Sequence, residues 1–148
     1  MTMDTSFELE RLTSLNGLAD ALNQAGLPVA DLEGSGLLFF RFTEAGRTIG
    51  YGGLEGAAPD MLLRSITVAP DARNQGYGVR IMQAIEREAA ALGADRLHLL
   101  TNTAARFFSR SGYVPAGRNA APASVASCEQ FRSLCPASAA YLVKRIGL

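Results

Sequence analysis

The stretch from Leu62 to Thr101, which opens "LLRSITVAPDARNQGYG" and closes "GADRLHLLT", constrains the fold more than any other part of the chain. Its first apolar run, "MLLRSITVA", is bounded by Asp60 and Pro70 and carries the β-branched residues of a central strand. Gly76 and Gly78 follow in a tight turn. Val79, Met82, Ile85, Ala89 and Leu92 then recur on one face of a helix that stops at Gly93. Arg96 to Thr101 is the next strand. Strand, helix and strand in this order form a crossover, so the two strands are expected to be parallel neighbours in one sheet.

The flanking segments read differently. Phe7 to Leu12 is a short strand, and Leu15, Leu18, Leu22 and Ala25 recur at helical spacing, with Ser14 as a cap and Gly26 and Pro28 as the stop. Leu37 to Phe42 and Thr48 to Leu54 form a hairpin turning at Glu44 to Arg47. Up to the central strand the pattern is an antiparallel meander. Beyond the crossover, Ala104, Phe107 and Phe108 begin a shorter helix ending near Gly112. Val125, Cys128, Phe131 and Leu134 suggest another, closed by Pro136, and "AAYLVKRI" makes a last strand. The fold class expected is α/β, a mixed and mostly antiparallel sheet with one parallel pair, flanked by helices. At 148 residues it is expected to form one domain, residues 1–148.

Fourteen basic and fourteen acidic residues give a formal net charge of zero, so no global field draws the chain to nucleic acid or an anionic membrane. Any anion site must be local. No apolar run is long enough to span a bilayer, and "MTMDTSFELERL" lacks the features of a signal peptide, so a cytoplasmic location is expected. Two cysteines, Cys128 and Cys135, are too few for a disulfide framework. Lys144 is the only lysine, which removes lysine as the expected catalytic residue.

A strand that turns tightly into a helix presents backbone N–H groups that the helix cannot satisfy, with the positive end of its dipole behind them; such a terminus binds phosphate. Glycines at 76 and 78 let an anion approach, and Arg73 or Arg80 can add a charged contact. A dinucleotide fingerprint needs a third glycine where Ile81 stands, and a P-loop needs a G-K-[ST] triplet that is absent. The sequence also lacks G-x-S-x-G, H-E-x-x-H and C-x-x-C, which removes the usual support for hydrolase, zinc-protease and thiol-redox readings.

The remaining element, "RNQGYG", resembles the R/Q-x-x-G-x-G/A turn of the GNAT superfamily of N-acetyltransferases. Farther along, "TNTAARFFSRSGY" is similar to that family's second motif, with Ala104, Phe107, Gly112 and Tyr113 in register. The resemblance covers nearly the whole chain. It implies acetyl-CoA as cosubstrate, its pyrophosphate on the N–H groups of Gln75 to Gly78 and its pantetheine arm on the backbone edges of Ile66 and Val68. The cofactor-contacting set it implies is Ile66, Thr67, Val68, Arg73, Asn74, Gln75, Gly76, Tyr77, Gly78, Val79, Thr101 and Phe108, with no metal. The C-terminal part, "CPASA" above all, resembles a GNAT branch associated with bacterial arsenic-resistance operons. Partners expected are a small-molecule amine and a possible second copy in a homodimer, with no nucleic acid and no membrane.

Acetyl transfer in such a family requires an ammonium to lose its proton, the thioester carbonyl to be polarised and a thiolate to leave. Phe108 stands where many relatives carry a tyrosine acid, leaving water, Thr101, Asn102 or a residue outside the motif to serve the thiolate. Glu55 is the candidate base at the end of the third strand, or else a solvated loop carboxylate. Arg64 is a candidate to bind a substrate carboxylate or phosphonate bidentately, or else a salt-bridge partner of Glu55 or Asp60. His98, Tyr51, Tyr113 and Tyr141 are read first as packing. Seven residues along a helix separate Cys128 and Cys135 by about 10.5 Å, too far for a shared ion. The rival readings are a peptide N-terminal acetyltransferase with an open groove, and a domain that senses acetyl-CoA or an arsenical without turnover.

Overall fold

The computed structural model of the chain describes residues 7–13, 15, 17–27, 36–128, 131 and 139–147. Strand β1 (Phe7–Arg11) leads through helix α1 (Leu18–Gln24) into β2 (Leu37–Glu44), β3 (Arg47–Ala57) and β4 (Asp60–Val68), each strand antiparallel to the next. Helix α2 (Tyr77–Ala91) carries the chain to β5 (Arg96–Thr101), which lies parallel to β4. Helix α3 (Ala105–Arg110), the two-residue strand β6 (Val114–Pro115), helix α4 (Ala123–Ala126) and β7 (Ala140–Arg145) complete the order. The sheet runs β1-β2-β3-β4-β5-β7-β6, mixed and flanked by helices as the sequence pattern predicts.

Several boundaries differ from the sequence reading. The N-cap of α1 is Gly17, in the left-handed region at φ 84°; Ser14, Pro28, Leu134, Cys135 and Pro136 lie outside the described residues. β3 runs on to Ala57, because its pairing with β4 continues to Ala57 opposite Asp60. The buried face of α2 is Tyr77, Ile81, Met82, Ala84, Ile85 and Ala89, whereas Val79 and Leu92 are 37% and 50% exposed. Val79 lies off the buried arc of the helix, and Leu92 is its C-cap residue.

Helix α2 covers one sheet face, where Ile81, Met82 and Ile85 meet Phe42, Ile49, Leu63 and Leu97. Leu18 and Leu22 of α1 close on Phe39 across the other face, and Val125 and Cys128 close on Leu62. Close packing of α2 and β4 explains Gly50 and Gly52 of β3. A Cβ on Gly52 would lie 2.2 Å from Ile85 Cδ1, and one on Gly50 would lie 2.1 Å from the Thr67 carbonyl oxygen. The second clash is with backbone and cannot be relieved by a rotamer. Gly50→Ala is therefore expected to lower stability by about 2–3 kcal/mol in urea unfolding, as overpacked sites do; an unchanged midpoint would contradict this packing.

At the start of the parallel pair lies a buried polar network. His98 Nε2 is 2.8 Å from Asp60 Oδ1, and His98 Nδ1 is 2.7 Å from the Tyr141 hydroxyl. A neutral ring protonated on Nε2 satisfies both, donating to Asp60 and accepting from Tyr141. Arg96 donates to both oxygens of the same carboxylate. Burial pushes the Asp60 carboxyl up, but hydrogen bonds from His98 and Arg96 and the charge of Arg96 outweigh it and hold it below its ordinary value of 3.8. A depressed carboxyl stabilises the fold above that value and loses the contribution as pH falls. Asp60→Asn should therefore lower the urea midpoint at pH 7, with the gap from the parent protein shrinking below pH 3.8. A gap of constant size would argue against the network.

Candidate active site

The parallel pairing of β4 and β5 is short: Asp60, Met61 and Leu62 face Arg96, Leu97 and His98, and beyond them the strands part. The cause lies in β4. Tyr51 of β3 faces Thr67 and Gly53 faces Arg64, so two steps along β3 match three along β4. The extra residue is a bulge, with Ser65 at φ 61°, and a bulge bends its strand and sharpens its twist. From Leu63 onward, the β4 edge facing β5 has no strand partner.

The parted strands enclose a cleft of about 290 Å³. Residues 63–68 form one wall and 99–101 the other. Thr103, Ala104, Phe107 and Phe108 close it on the α3 side, Gly78 at the start of α2, and Ala25 and Leu27 after α1. Among the described residues that line it, Arg64 is the only titratable side chain. A ligand there meets apolar side chains, a few hydroxyls and an unpaired strand edge. A smaller hollow of about 80 Å³ beside α1 shares Thr67 and Val68, so the end of β4 borders two openings.

The turn after β4 meets the cleft at Gly78. Asn74 and Gly76 have φ of 64° and 82°, and alternation into the left-handed region aims successive N–H groups into a concavity. Helix α2 has no side-chain cap and no acidic residue in its first turn, leaving that terminus to an anion. The two glycines serve different ends. Gly76 supplies the positive φ and has no atom within 4 Å of where a Cβ would stand, whereas Gly78 makes room for the Phe107 ring, 3.3 Å from its own missing Cβ.

The side chains of the turn are held away from it. Arg73 Nε donates to the Val68 carbonyl at 3.1 Å, and Gln75 Nε2 donates to that of Asp71 at 3.3 Å. The Tyr77 hydroxyl donates to Glu44, and Arg80 donates to Glu44 while lying over the Phe7 ring. Arg80 is thereby removed from the anion site that the sequence offered it. Ile66, Thr67, Val68, Gly78, Thr101 and Phe108 of the expected cofactor set line the cleft; Val79 is exposed on the first turn of α2.

Glu55 stands inside β3, facing Leu62 of β4, and not beyond the strand end. Its Oε1 accepts a 2.8 Å hydrogen bond from Arg64 Nη1, with the arginine side chain 0% and the glutamate 14% exposed. Arg64 Nε also donates to Ser65 Oγ at 3.1 Å, and its guanidinium lies over the Phe39 ring. The salt bridge that the sequence offered as one alternative is thus the one present. Arg64 anchors Glu55 and ties it to the bulge, a position that gives a substrate anion no access to its buried side chain. Thr101 lines the cleft, and its Oγ1 accepts the Ala104 N–H at 2.9 Å, which leaves its own proton to donate. Asn102 is exposed and does not line the cleft.

Tyr113 donates to Glu86, which also holds Lys144, pinning α2 to the last strand. Buried Cys128 lies against the Ser124 carbonyl. Thr103 was missed by sequence reasoning, and Ser65 was read as the start of a regular strand edge and not as a bulge. Nothing in "LLRSITV" marks which residue will bulge, although a strand glycine opposite, here Gly52, is the kind of signal that accompanies one. No group of three or more potential metal ligands occurs among the described residues, and none of their helices is long and apolar enough to cross a membrane.

An acetyltransferase (GNAT) domain model matches residues 35–115, more than half of the chain, and the chain belongs to that family. It is 36% identical over 70 residues to the amino-acid acetyltransferase of Azotobacter vinelandii, covering 47% of this chain and 16% of that protein. It is 38% identical over 53 residues to mouse (Mus musculus) N-alpha-acetyltransferase 80, covering 36% of this chain and 17% of that one. The chain therefore spans about a sixth of the length of either relative. Its fold superposes on N-acetylglutamate synthase from Neisseria gonorrhoeae, solved with coenzyme A and N-acetyl-glutamate, at a TM-score of 0.78 and 22% identity, covering 99% of this chain and 36% of that one. The ribosomal-protein-S18-alanine N-acetyltransferase of Escherichia coli matches at a TM-score of 0.70 and 18% identity, covering 97% and 96% of the two chains.

The buried Arg64–Glu55 pair makes a thermodynamic prediction. Removing one partner leaves the other's charge poorly solvated, so Arg64→Met should cost about 2–3 kcal/mol and the Arg64→Met, Glu55→Gln double variant less than the sum of the singles. Strict additivity in urea unfolding would show that the two do not interact.

Proposed function

We propose that this chain is an acetyl-CoA-dependent N-acetyltransferase acting on the amine of a small molecule. The observation that carries the reading is the cleft where β4 leaves β5, a bare strand edge that ends at an uncapped helix N-terminus. An extended thioester arm would hydrogen-bond the backbone of Ile66 and Val68, its pyrophosphate taking the N–H groups of Gln75 to Gly78. Coenzyme A in the Neisseria neighbour supports this choice of cosubstrate.

The acceptor amine would reach the thioester from the Glu55 face of the sheet. Glu55, oriented by Arg64, would take a proton from its ammonium, and the neutral amine would attack the carbonyl carbon as the C–S bond breaks. Thr101 would donate its free hydroxyl proton in a hydrogen bond to the leaving sulfur. The amino-acid acetyltransferase likeness favours an amino-acid-like acceptor. The "CPASA" likeness, all but its last residue outside the described residues, favours a toxic or arsenic-related one. We assign the reaction to the cytoplasm and to a single domain.

A second reading, a domain that binds acetyl-CoA as a sensor, is favoured by Phe108: the described lining of the cleft holds no tyrosine, histidine, cysteine or lysine to protonate a thiolate. The test is thiol release from acetyl-CoA across amino acids, phosphinothricin-like and arsenic-containing analogues, amines and short peptides. Acceptor-dependent release is expected with an amino-acid-like amine; tight binding with no release from any acceptor would favour the sensor. Gly76→Asp sets a carboxylate against the pyrophosphate and should weaken acetyl-CoA binding by roughly a hundredfold or more. Unchanged affinity by calorimetry would remove the turn from the site.

A further inference from the structure

Each wall of the cleft carries a hydroxyl that the protein holds from behind: Ser65 at the bulge of β4 and Thr101 on β5. Thr101 Oγ1 accepts the Ala104 N–H at 2.9 Å, and Ser65 Oγ accepts Arg64 Nε at 3.1 Å. With a lone pair occupied in this way, each keeps its own proton to donate. Among the described residues none accepts the proton of Ser65, which is buried.

The two hydroxyls differ in what they lean on. Thr101 bonds a neutral amide, whereas Ser65 bonds a guanidinium, and a charged donor in a low-dielectric site polarises the O–H that it holds. The same guanidinium donates through Nη1 to Glu55 Oε1 at 2.8 Å. One rigid planar group thus links the carboxylate to the hydroxyl of the bulge. The closed end of the cleft fixes what that hydroxyl meets. Strands β4 and β5 join at Leu62 and His98, so an extended arm that enters at Gly78 and passes Val68 and Ile66 ends beside Ser65. On the acetyl-CoA reading, on which this inference rests, that end is the thioester.

We propose that Ser65 is a catalytic residue whose hydroxyl donates a hydrogen bond to the thioester carbonyl oxygen, and that Arg64 couples it to Glu55. The amine nitrogen bonds the carbonyl carbon while the C=O π pair moves onto oxygen, where Ser65 meets the developing charge. The pair returns as the C–S bond breaks onto sulfur, and the surplus proton of the nitrogen leaves with the thiol. Glu55 has by then taken the ammonium proton and given up its negative charge 2.8 Å from Nη1. The positive field of the guanidinium on Ser65 is therefore stronger when the oxyanion forms than when the substrates bind.

The experiment is steady-state thiol release from acetyl-CoA with each acceptor of the panel above, as a function of pH, on the unaltered protein, Ser65→Ala and Ser65→Gly, with calorimetric binding of acetyl-CoA alongside. Both variants are expected to lower kcat by roughly ten- to a hundredfold, with acetyl-CoA affinity and the pH profile unmoved. Glycine adopts the φ of 61° at this position without strain, so a role confined to shaping the bulge would leave Ser65→Gly near the parent. A near-parent kcat in Ser65→Gly would overturn the assignment. So would a loss in Ser65→Ala that a change of pH recovers, the sign of a disturbed Glu55 and not of a missing donor. Undiminished release by Ser65→Ala would remove Ser65 from the chemistry and leave the cosubstrate reading intact, whereas no release by the unaltered protein with any acceptor would overturn both the transferase reading and the role of Ser65.

Discussion

The parting of β4 from β5 after Leu62 and His98 is the constraint on which the site depends. Two parallel strands joined by a helix would ordinarily pair along their length, closing every backbone group between them. Here the bulge at Ser65 turns β4 away, and the sheet opens where α2 begins. One irregularity therefore yields both an unpaired strand edge and its alignment with a helix N-terminus. The glycines of β3 belong to the same device: without a Cβ at Gly50 or Gly52, α2 can lie close enough to the sheet to hold its first turn at the mouth of the cleft.

Backbone, more than side chain, supplies the polar groups that the cleft and the turn leave open. The described cleft walls offer Arg64 as their titratable group, and Arg73, Gln75, Tyr77 and Arg80 all spend their side chains on protein partners. What remains at the turn is a set of N–H groups. The charged chemistry stands one layer away, in the Arg64–Glu55 pair that rests on the bulge through Ser65. Gly53 contributes by omission, since a Cβ there would lie 2.7 Å from the Phe39 ring that packs under the Arg64 guanidinium. The Glu55 carboxylate and the bulge that opens the cleft are thereby mechanically joined.

Much of this was legible in the sequence because it rests on local patterns. The strand, glycine turn and amphipathic helix between Asp60 and Gly93 required a crossover, and the crossover required the parallel pair. Features set by tertiary register were not legible. Alternation places Arg64 on a face but cannot show that Glu55 lies inside β3, opposite Leu62 and within reach of it. Gly76 and Gly78 look equivalent in "NQGYG", yet one answers to a dihedral angle and the other to Phe107. The two-residue β6 is too short to carry a period, and its pairing with β7 is set by the strands around it. Val79 is exposed because, at 100° per residue, it lies outside the arc that buries Tyr77, Ile81, Met82 and Ile85.

The most direct test is amide hydrogen exchange with and without acetyl-CoA. The account predicts slowed exchange at Ile66 to Val68 and at Gln75 to Val79, with β1 and β2 unchanged. Calorimetric binding of acetyl-CoA with no protection at either segment, or with protection confined to another part of the sheet, would contradict it.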